Sequence, residues 1–169
     1  WLPLRGDRGF VVTFALPPEL DGPAVVVDVD VLQRNIDFWA RRLSDRSVGI
    51  RPHTKTSKCA EIIERQVKAG VVGLTVATIG EAETLADHGF DDLFIAYPVW
   101  AGTPARARRL RAVHERVDLT VGVESAEAAR ALADAVQGSS RALGVVIEVD
   151  GTAHPLSGFD GFSVPAASG

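Results

Sequence analysis

A lysine lies at the end of a predicted β-strand, within the segment Arg51-Pro52-His53-Thr54-Lys55-Thr56-Ser57-Lys58-Cys59. A lysine amine attacks carbonyl carbons only when it is neutral, and with an ordinary pKa of about 10.4 little of it is neutral at pH 7. Burial and neighbouring cations both disfavour the ammonium form, and Arg51 and Lys58 are close to Lys55 in sequence. Lys55 is therefore a candidate Schiff-base lysine. The alternative is that Lys55 and Lys58 are solvated charges at the start of the next helix.

The elements that would position Lys55 form a regular series. From residue 24 onward, apolar runs rich in β-forming residues alternate with stretches of helical periodicity, which predicts parallel βα units. Strands are predicted at 24–28, 48–52, 71–77, 92–97, 118–123 and 142–150, with a helix after each of the first five. This spacing favours an α/β fold, a (β/α)8 barrel of the TIM type truncated here to about six βα units. A doubly wound sheet has the same alternation, but the glycine-rich turn of its nucleotide-binding form is missing after Asp28.

Several helix boundaries can be predicted from capping residues. Asp30 with Gln33 is a reasonable capping pair for the first helix, whose apolar face holds Leu32, Ile36, Trp39 and Leu43. The second helix is predicted to turn three residues inward: Cys59, Ile63 and Val67. Thr78 with Glu81 forms a predicted capping box, and Thr103 followed by Pro104 marks the start of a later helix.

Composition limits the class of protein. Hydrophobic residues make up 46% and charged residues 24% of the 169 residues, which is typical of a soluble globular domain. The net charge of -4 favours neither nucleic acid nor an anionic membrane as partner. Cys59 is the single cysteine, so an internal disulfide is impossible, and a cytoplasmic location is expected. The predicted organisation is an N-terminal segment at 1–23, a partial barrel at 24–150 and an irregular tail at 151–169.

Active sites of such barrels form at the carboxyl ends of the strands. The residues predicted there are Asp28, His53, Lys55, Ala77, Thr78, Tyr97, Glu124 and Asp150. His53 is a candidate to pack against or polarise a cofactor ring, and the alternative is a loop histidine with a local hydrogen bond. Tyr97 is either a wall of the site or a strand end. Asp28 and Asp150 either orient other side chains or form turns.

Two further groups of polar residues are candidate binding sites. Arg106, Arg108, Arg109 and Arg111 are expected to form a solvated helix face, with phosphate or partner binding as the weaker alternative. His88, His114 and His154 have no mutual spacing that suits a metal ion, and no cysteine–histidine pair has ligand spacing. No metal site is predicted in this chain.

Four parts of the sequence resemble a known family. The run from Pro23 to Asp30, followed by Arg34-Asn35-Ile36, is similar to the opening strand and helix of the fold-type III pyridoxal-phosphate enzymes, whose barrel is the alanine racemase N-terminal domain. The segment Arg51–Cys59 closely resembles the Arg-Pro-His-x-Lys-Thr-His-Lys run of the D-threonine aldolase and D-serine dehydratase branch. The runs Val76–Glu83 and Ile95–Pro98 also resemble this branch.

The resemblance implies a pyridoxal-phosphate lyase that acts on small D-amino acids, with the Schiff base on Lys55 and with His53 near the cofactor. Amino-acid racemisation, or a non-catalytic cofactor-binding barrel or inactive remnant, are the alternatives. The family is homodimeric and uses a divalent metal in a further domain, whose site is expected to be absent here. The family also places a His-Arg pair after the sixth strand, whereas Gly151–Pro155 contains no arginine, so that role is not transferred. The chain is accordingly expected to be an N-terminal fragment.

Overall fold

The computed structural model describes residues 19, 21–22 and 25–149. Asp150, His154, the tail predicted at 151–169 and most of the N-terminal segment predicted at 1–23 lie outside these residues. Within 25–149, no helix combines the length and the apolar character that crossing a lipid bilayer requires.

A parallel sheet organises the described chain. Its strands are β1 (Leu74–Val76), β2 (Asp92–Pro98), β3 (Asp118–Val123) and β4 (Gly144–Ile147), and they are hydrogen-bonded in chain order. The helices are α1 (Val29–Ser44), α2 (Ala60–Lys68), α3 (Ile79–Asp87), α4 (Pro104–His114) and α5 (Ala126–Ala135), and a 3₁₀ turn covers Thr54–Thr56. Parallel strands that follow one another through helices confirm the predicted α/β class, in the form of part of a barrel.

The two faces of the sheet differ in burial. Alternate residues of β2, such as Leu93 and Ile95, are fully buried against the helices, together with Leu110 and Leu132. The intervening residues, such as Phe94, are only half-buried and line the side that would be the barrel interior. The helical layer therefore forms the core, and the interior face remains open.

Two predicted strands are wrong. Residues 25–28, the described part of the first predicted strand, form no ladder and lead directly into α1. Residues 48–52 run beside β1 without forming a regular strand, although the amides of Val72 and Thr75 donate to carbonyls of this segment. The proline at position 52 has no N–H to contribute, which interrupts a ladder at this point.

The helix predictions need two corrections. Asp28, not Asp30, caps α1, because its Oδ1 accepts the amides of Asp30 and Val31 at 3.0 and 2.9 Å. In α2, Ile63 is buried as predicted, whereas Val67 is 42% exposed. The caps of α3 at Thr78 and of α4 at Thr103 are confirmed.

An ion pair crosses the amino-terminal end of the sheet. The guanidinium of Arg51 donates to both carboxylate oxygens of Asp92, at 2.7 and 3.0 Å. The side chain of Arg51 passes over Gly73, where a Cβ atom would collide with the guanidinium. The absence of a side chain at Gly73 therefore permits this contact, which joins the 48–52 segment to β2.

Candidate active site

The loop that carries Lys55 is anchored to β1 at its entrance. His53 forms an isolated parallel bridge with Thr75, and the amide of Thr75 donates to the carbonyl of Pro52 at 2.8 Å. Thr54 is buried and its Oγ1 donates to the carbonyl of Thr75 at 3.2 Å. Because His53 lies beside Thr75, the chain that follows emerges beside the carboxyl end of β1. Lys55 therefore lies where barrel enzymes hold their catalytic groups.

The amine of Lys55 faces an aromatic residue from the neighbouring strand. Lys55 Nζ lies 3.3 Å from the hydroxyl of Tyr97 and 5.5 Å from the centroid of its ring. The ladder between β2 and β3 shifts register between Ile95 and Pro98, and such a bulge changes the direction of side chains on the strand. Across the ladder, a Cβ atom at Gly122 would lie 3.2 Å from the carbonyl of Tyr97, so glycine leaves room for the bulge.

His53 presents an unused ring nitrogen beside Lys55. Its Nδ1 accepts the amide N–H of Lys55 at 3.3 Å, so the neutral ring carries its proton on Nε2. Nε2 is buried and has no hydrogen-bond partner among the described residues. Burial, and then the nearby Lys55 ammonium, lower the pKa of His53, and the carboxylate of Glu81 opposes them. His53 therefore has a buried N–H donor, and the described residues supply no acceptor for it.

The second lysine of the segment is committed to an ion pair. Lys58 Nζ lies 3.2 Å from Oε1 of Glu81, and Oε2 of Glu81 accepts the amide of Ala77 at 2.7 Å. The amide of Glu81 donates to Oγ1 of Thr78 at 3.1 Å, so the predicted capping pair is present, although the glutamate reaches back to Ala77. Among the described residues, Lys55 has no carboxylate partner. Of the two lysines in this segment, Lys55 is therefore the one whose amine is available for a ligand.

The remaining sequence candidates divide between caps and exposed positions. Asp28 and Thr78 act as helix caps, and Glu124 is exposed at the end of β3. Of the residues predicted at the strand ends, the structure brings together His53, Lys55 and Tyr97. Sequence reasoning missed the contact of Glu81 with Lys58, since capping alone explained the glutamate and no local spacing connects the two positions.

The arginine-rich helix mainly pairs with acidic residues. Arg109 binds both carboxylate oxygens of Glu83 on α3, which lowers the pKa of that carboxyl group below its ordinary value. Arg111 pairs with Glu115 at 2.7 Å, and Arg106 and Arg108 are exposed. These contacts agree with the predicted solvated face.

The described histidines outside the site contact backbone carbonyl oxygens. The Nδ1 atom of His88 lies 2.8 Å from the carbonyl of Thr84, and Nε2 of the buried His114 lies 3.2 Å from the carbonyl of Arg141. Within the described part of the chain, no group of three or more histidine, cysteine, aspartate or glutamate residues is arranged to hold a metal ion.

Residues 27–162 match the family described as alanine racemase, N-terminal domain, which is most of the chain. The chain belongs to this family. The resemblance to fold-type III pyridoxal-phosphate enzymes is thereby confirmed. The alanine racemase N-terminal domain family also accounts for the parallel βα order of the described sheet.

Individual relatives point to one branch of the family. The chain is 37% identical over 135 residues to a D-threo-3-hydroxyaspartate dehydratase of Delftia sp. (strain HT23), covering 80% of this chain and 35% of that protein. It is 28% identical to a D-threonine aldolase of Arthrobacter sp., covering 80% and 38%. The crystal structure of a D-threonine aldolase from Filomicrobium marinum superposes with a TM-score of 0.72 at 28% identity, covering 77% and 35%. The chain thus spans little more than a third of each of these relatives.

The residues at the strand ends fit a carbonyl-bearing cofactor such as pyridoxal phosphate. Three groups meet at one end of the sheet: the Lys55 amine, which has no carboxylate partner among the described residues, the buried ring N–H of His53, which has no acceptor among them, and the nearby phenol of Tyr97.

Proposed function

We propose that this chain is the cofactor-holding barrel portion of a pyridoxal-phosphate-dependent lyase that cleaves β-hydroxy D-amino acids, by aldol cleavage or by dehydration. The observation that carries the proposal is the position of Lys55, whose amine lies beside Tyr97 at the carboxyl end of the sheet and faces no described carboxylate. The names of the relatives support the substrate class, because D-threonine and D-threo-3-hydroxyaspartate both carry a hydroxyl on the β carbon. D-Serine shares that group and falls within the proposed class.

The chemistry divides between the cofactor and the chain. When bound, pyridoxal phosphate withdraws electrons from the α carbon of an amino acid, so that a bond to that carbon can break. Lys55 would hold the cofactor through Nζ and give it up to the amine of the substrate. The freed Lys55 amine could then accept a proton from the substrate, as a general base at the same position.

His53 and Tyr97 would orient these groups. The Nε2–H of His53 can donate to an oxygen of the cofactor or substrate, which would satisfy a buried donor that has no partner among the described residues. The hydroxyl of Tyr97 can donate to the neutral Lys55 amine or accept from the ammonium form, so it remains a partner in both protonation states.

A turnover assay tests the proposed reaction. The purified chain is supplied with pyridoxal phosphate and then with D-threonine, D-threo-3-hydroxyaspartate or D-serine, with the L enantiomers as controls. Aldol cleavage of D-threonine breaks the bond between the α and β carbons and yields glycine and acetaldehyde. Dehydration of D-serine or D-threo-3-hydroxyaspartate yields ammonia and a 2-oxo acid. Lys55→Ala and Lys68→Ala are the matched variants, since Lys68 lies at the end of α2 away from the site.

The proposal expects product from the D enantiomers with the Lys68→Ala variant and none with Lys55→Ala. Cofactor bound to Lys55 without product from any of these substrates would favour a cofactor-binding barrel over a lyase. Product that survives the Lys55→Ala substitution would contradict the role of Lys55.

A further inference from the structure

The loop that carries Lys55 is fastened to β1 at both ends. Its entrance is held by Thr54, whose hydroxyl donates to the carbonyl of Thr75. Its exit is held at Lys58, whose Nζ pairs with Glu81 at 3.2 Å, while the other oxygen of Glu81 accepts the amide of Ala77 at 2.7 Å. Thr75 and Ala77 are two residues apart at the carboxyl end of β1. The contacts at the two ends of the loop therefore both lead to this end of the strand.

We infer that Glu81 is a positioning residue for Lys55, acting through Lys58 and the amide of Ala77. This inference rests on the proposed function, because a position matters for Lys55 only if its amine holds a ligand. Lys55 lies between the two fastenings and has no carboxylate partner of its own among the described residues. The loop that holds it, and not a direct contact with a carboxylate, therefore fixes where its backbone leaves the sheet.

The backbone conformation of Lys58, at the end of the loop, requires stabilising contacts. Lys58 has a φ of 47°, in the left-handed region that side-chain-bearing residues rarely adopt. Its amide donates to the carbonyl of Thr54 at 2.9 Å, which closes the turn around Lys55. Strained backbone of this kind persists where surrounding contacts hold it, and the ion pair with Glu81 is one such contact.

The charge of Glu81 also reaches the histidine of the site. The carboxylate raises the pKa of His53 against the lowering effects of burial and of Lys55, while His53 and Lys58 help to lower the pKa of Glu81. Burial alone would raise the pKa of Glu81, and the amide of Ala77 and the ammonium of Lys58 outweigh it. Glu81 is therefore ionised next to the two groups that flank Lys55.

Three variants separate the contacts of Glu81. Glu81→Gln keeps an acceptor for the Ala77 amide and removes the charge, whereas Glu81→Ala removes both. Glu83→Gln is the matched control, because Glu83 lies two residues away on α3 and pairs with Arg109 instead. Cofactor binding is measured as the fraction of Lys55 modified after borohydride reduction over a range of pyridoxal phosphate concentrations. The titration of His53 is followed by NMR without cofactor, and the unfolding midpoint of each variant is recorded.

The inference expects Glu81→Gln to weaken cofactor binding about two- to fivefold, as loss of a partly exposed ion pair would, with a larger loss for Glu81→Ala. It also expects the titration midpoint of His53 to fall in Glu81→Gln and to stay unchanged in Glu83→Gln, an effect that loss of stability alone would not produce. The inference is overturned if Glu81→Gln and Glu83→Gln both bind pyridoxal phosphate with the affinity of the wild type. If the wild type binds no cofactor, the proposed function fails and the inference about Glu81 fails with it. If the wild type binds cofactor and Glu81→Gln binds it equally well, the inference alone fails and the proposed function stands.

Discussion

Removing the hydroxyl of Tyr97 tests the contact that distinguishes Lys55 from the other lysines. Tyr97 is the single tyrosine of the chain, and its hydroxyl lies 3.3 Å from Lys55 Nζ. Tyr97→Phe deletes this oxygen and keeps the ring, whose centroid lies 5.5 Å from Nζ, within the range of a cation–π contact. The substitution therefore removes one hydrogen bond with little loss of packing.

The geometry places the expected effect at the low end for a hydrogen bond. A bond of this kind contributes about 0.5–1.5 kcal/mol, and a length of 3.3 Å exceeds the usual N–H···O range. Tyr97 is 49% exposed, so water can replace part of the lost interaction. We expect a loss of about 0.5–1 kcal/mol, which corresponds to about two- to fivefold weaker binding of pyridoxal phosphate.

The assay is the concentration of pyridoxal phosphate that half-saturates Lys55, measured by borohydride trapping and mass spectrometry. Thr84→Val is a matched control, because it removes a hydroxyl that donates to the carbonyl of Gly80 within α3. Equal affinity in the wild type and in Tyr97→Phe would refute the role given to the hydroxyl. A loss well above tenfold would also contradict it, since a single exposed hydrogen bond cannot supply that much.

Three further predictions concern the scaffold and the charge of the site. Ile63→Ala should lower the free energy of unfolding by about 2–5 kcal/mol, because this side chain is 1% exposed, whereas Val67→Ala should change it by less than about 0.5 kcal/mol; denaturant unfolding that gives equal losses would contradict the observed face of α2. Because burial lowers the pKa of His53 in the folded chain, the unfolded chain binds more protons, and stability should fall as pH drops through the ordinary histidine range; a His53→Gln variant with an undiminished fall would contradict this. Gly73→Ala should displace Arg51 from its ion pair with Asp92 and lower the free energy of unfolding by about 1 kcal/mol. An unchanged free energy of unfolding in denaturant would contradict a stabilising role of this pair.

The sequence predicted the order of elements well where local rules decide the structure. The caps at Thr78 and Thr103 depend on a hydroxyl and the amide three residues later, and both are present. The predicted bounds of β3 match the observed ones, because apolar residues alternate with polar or small residues along this strand. In contrast, residues 25–28 have strand-like composition but no ladder, since a strand requires a partner that local sequence cannot reveal.

Sequence alone could identify only the local part of the candidate site. Lys55 and His53 could be chosen because they lie within one short segment at a strand end. The hydroxyl of Tyr97 reaches Lys55 across 42 positions of sequence, and Glu81 reaches Lys58 through the packing of α3 beside the loop. Such contacts depend on strand register and on the bulge of β2, which periodicity does not determine.

The central claim is that Lys55 holds pyridoxal phosphate, and covalent mapping tests it most directly. The sequence contains Lys55, Lys58 and Lys68 as its lysines, so the modified peptide can be assigned without ambiguity. The chain is incubated with pyridoxal phosphate, reduced with borohydride, digested and analysed by mass spectrometry. The account predicts that the reduced adduct lies on Lys55 at low cofactor concentration and is lost in Lys55→Ala. An adduct distributed equally over Lys55, Lys58 and Lys68, or one that persists in Lys55→Ala at the same concentration, would contradict it.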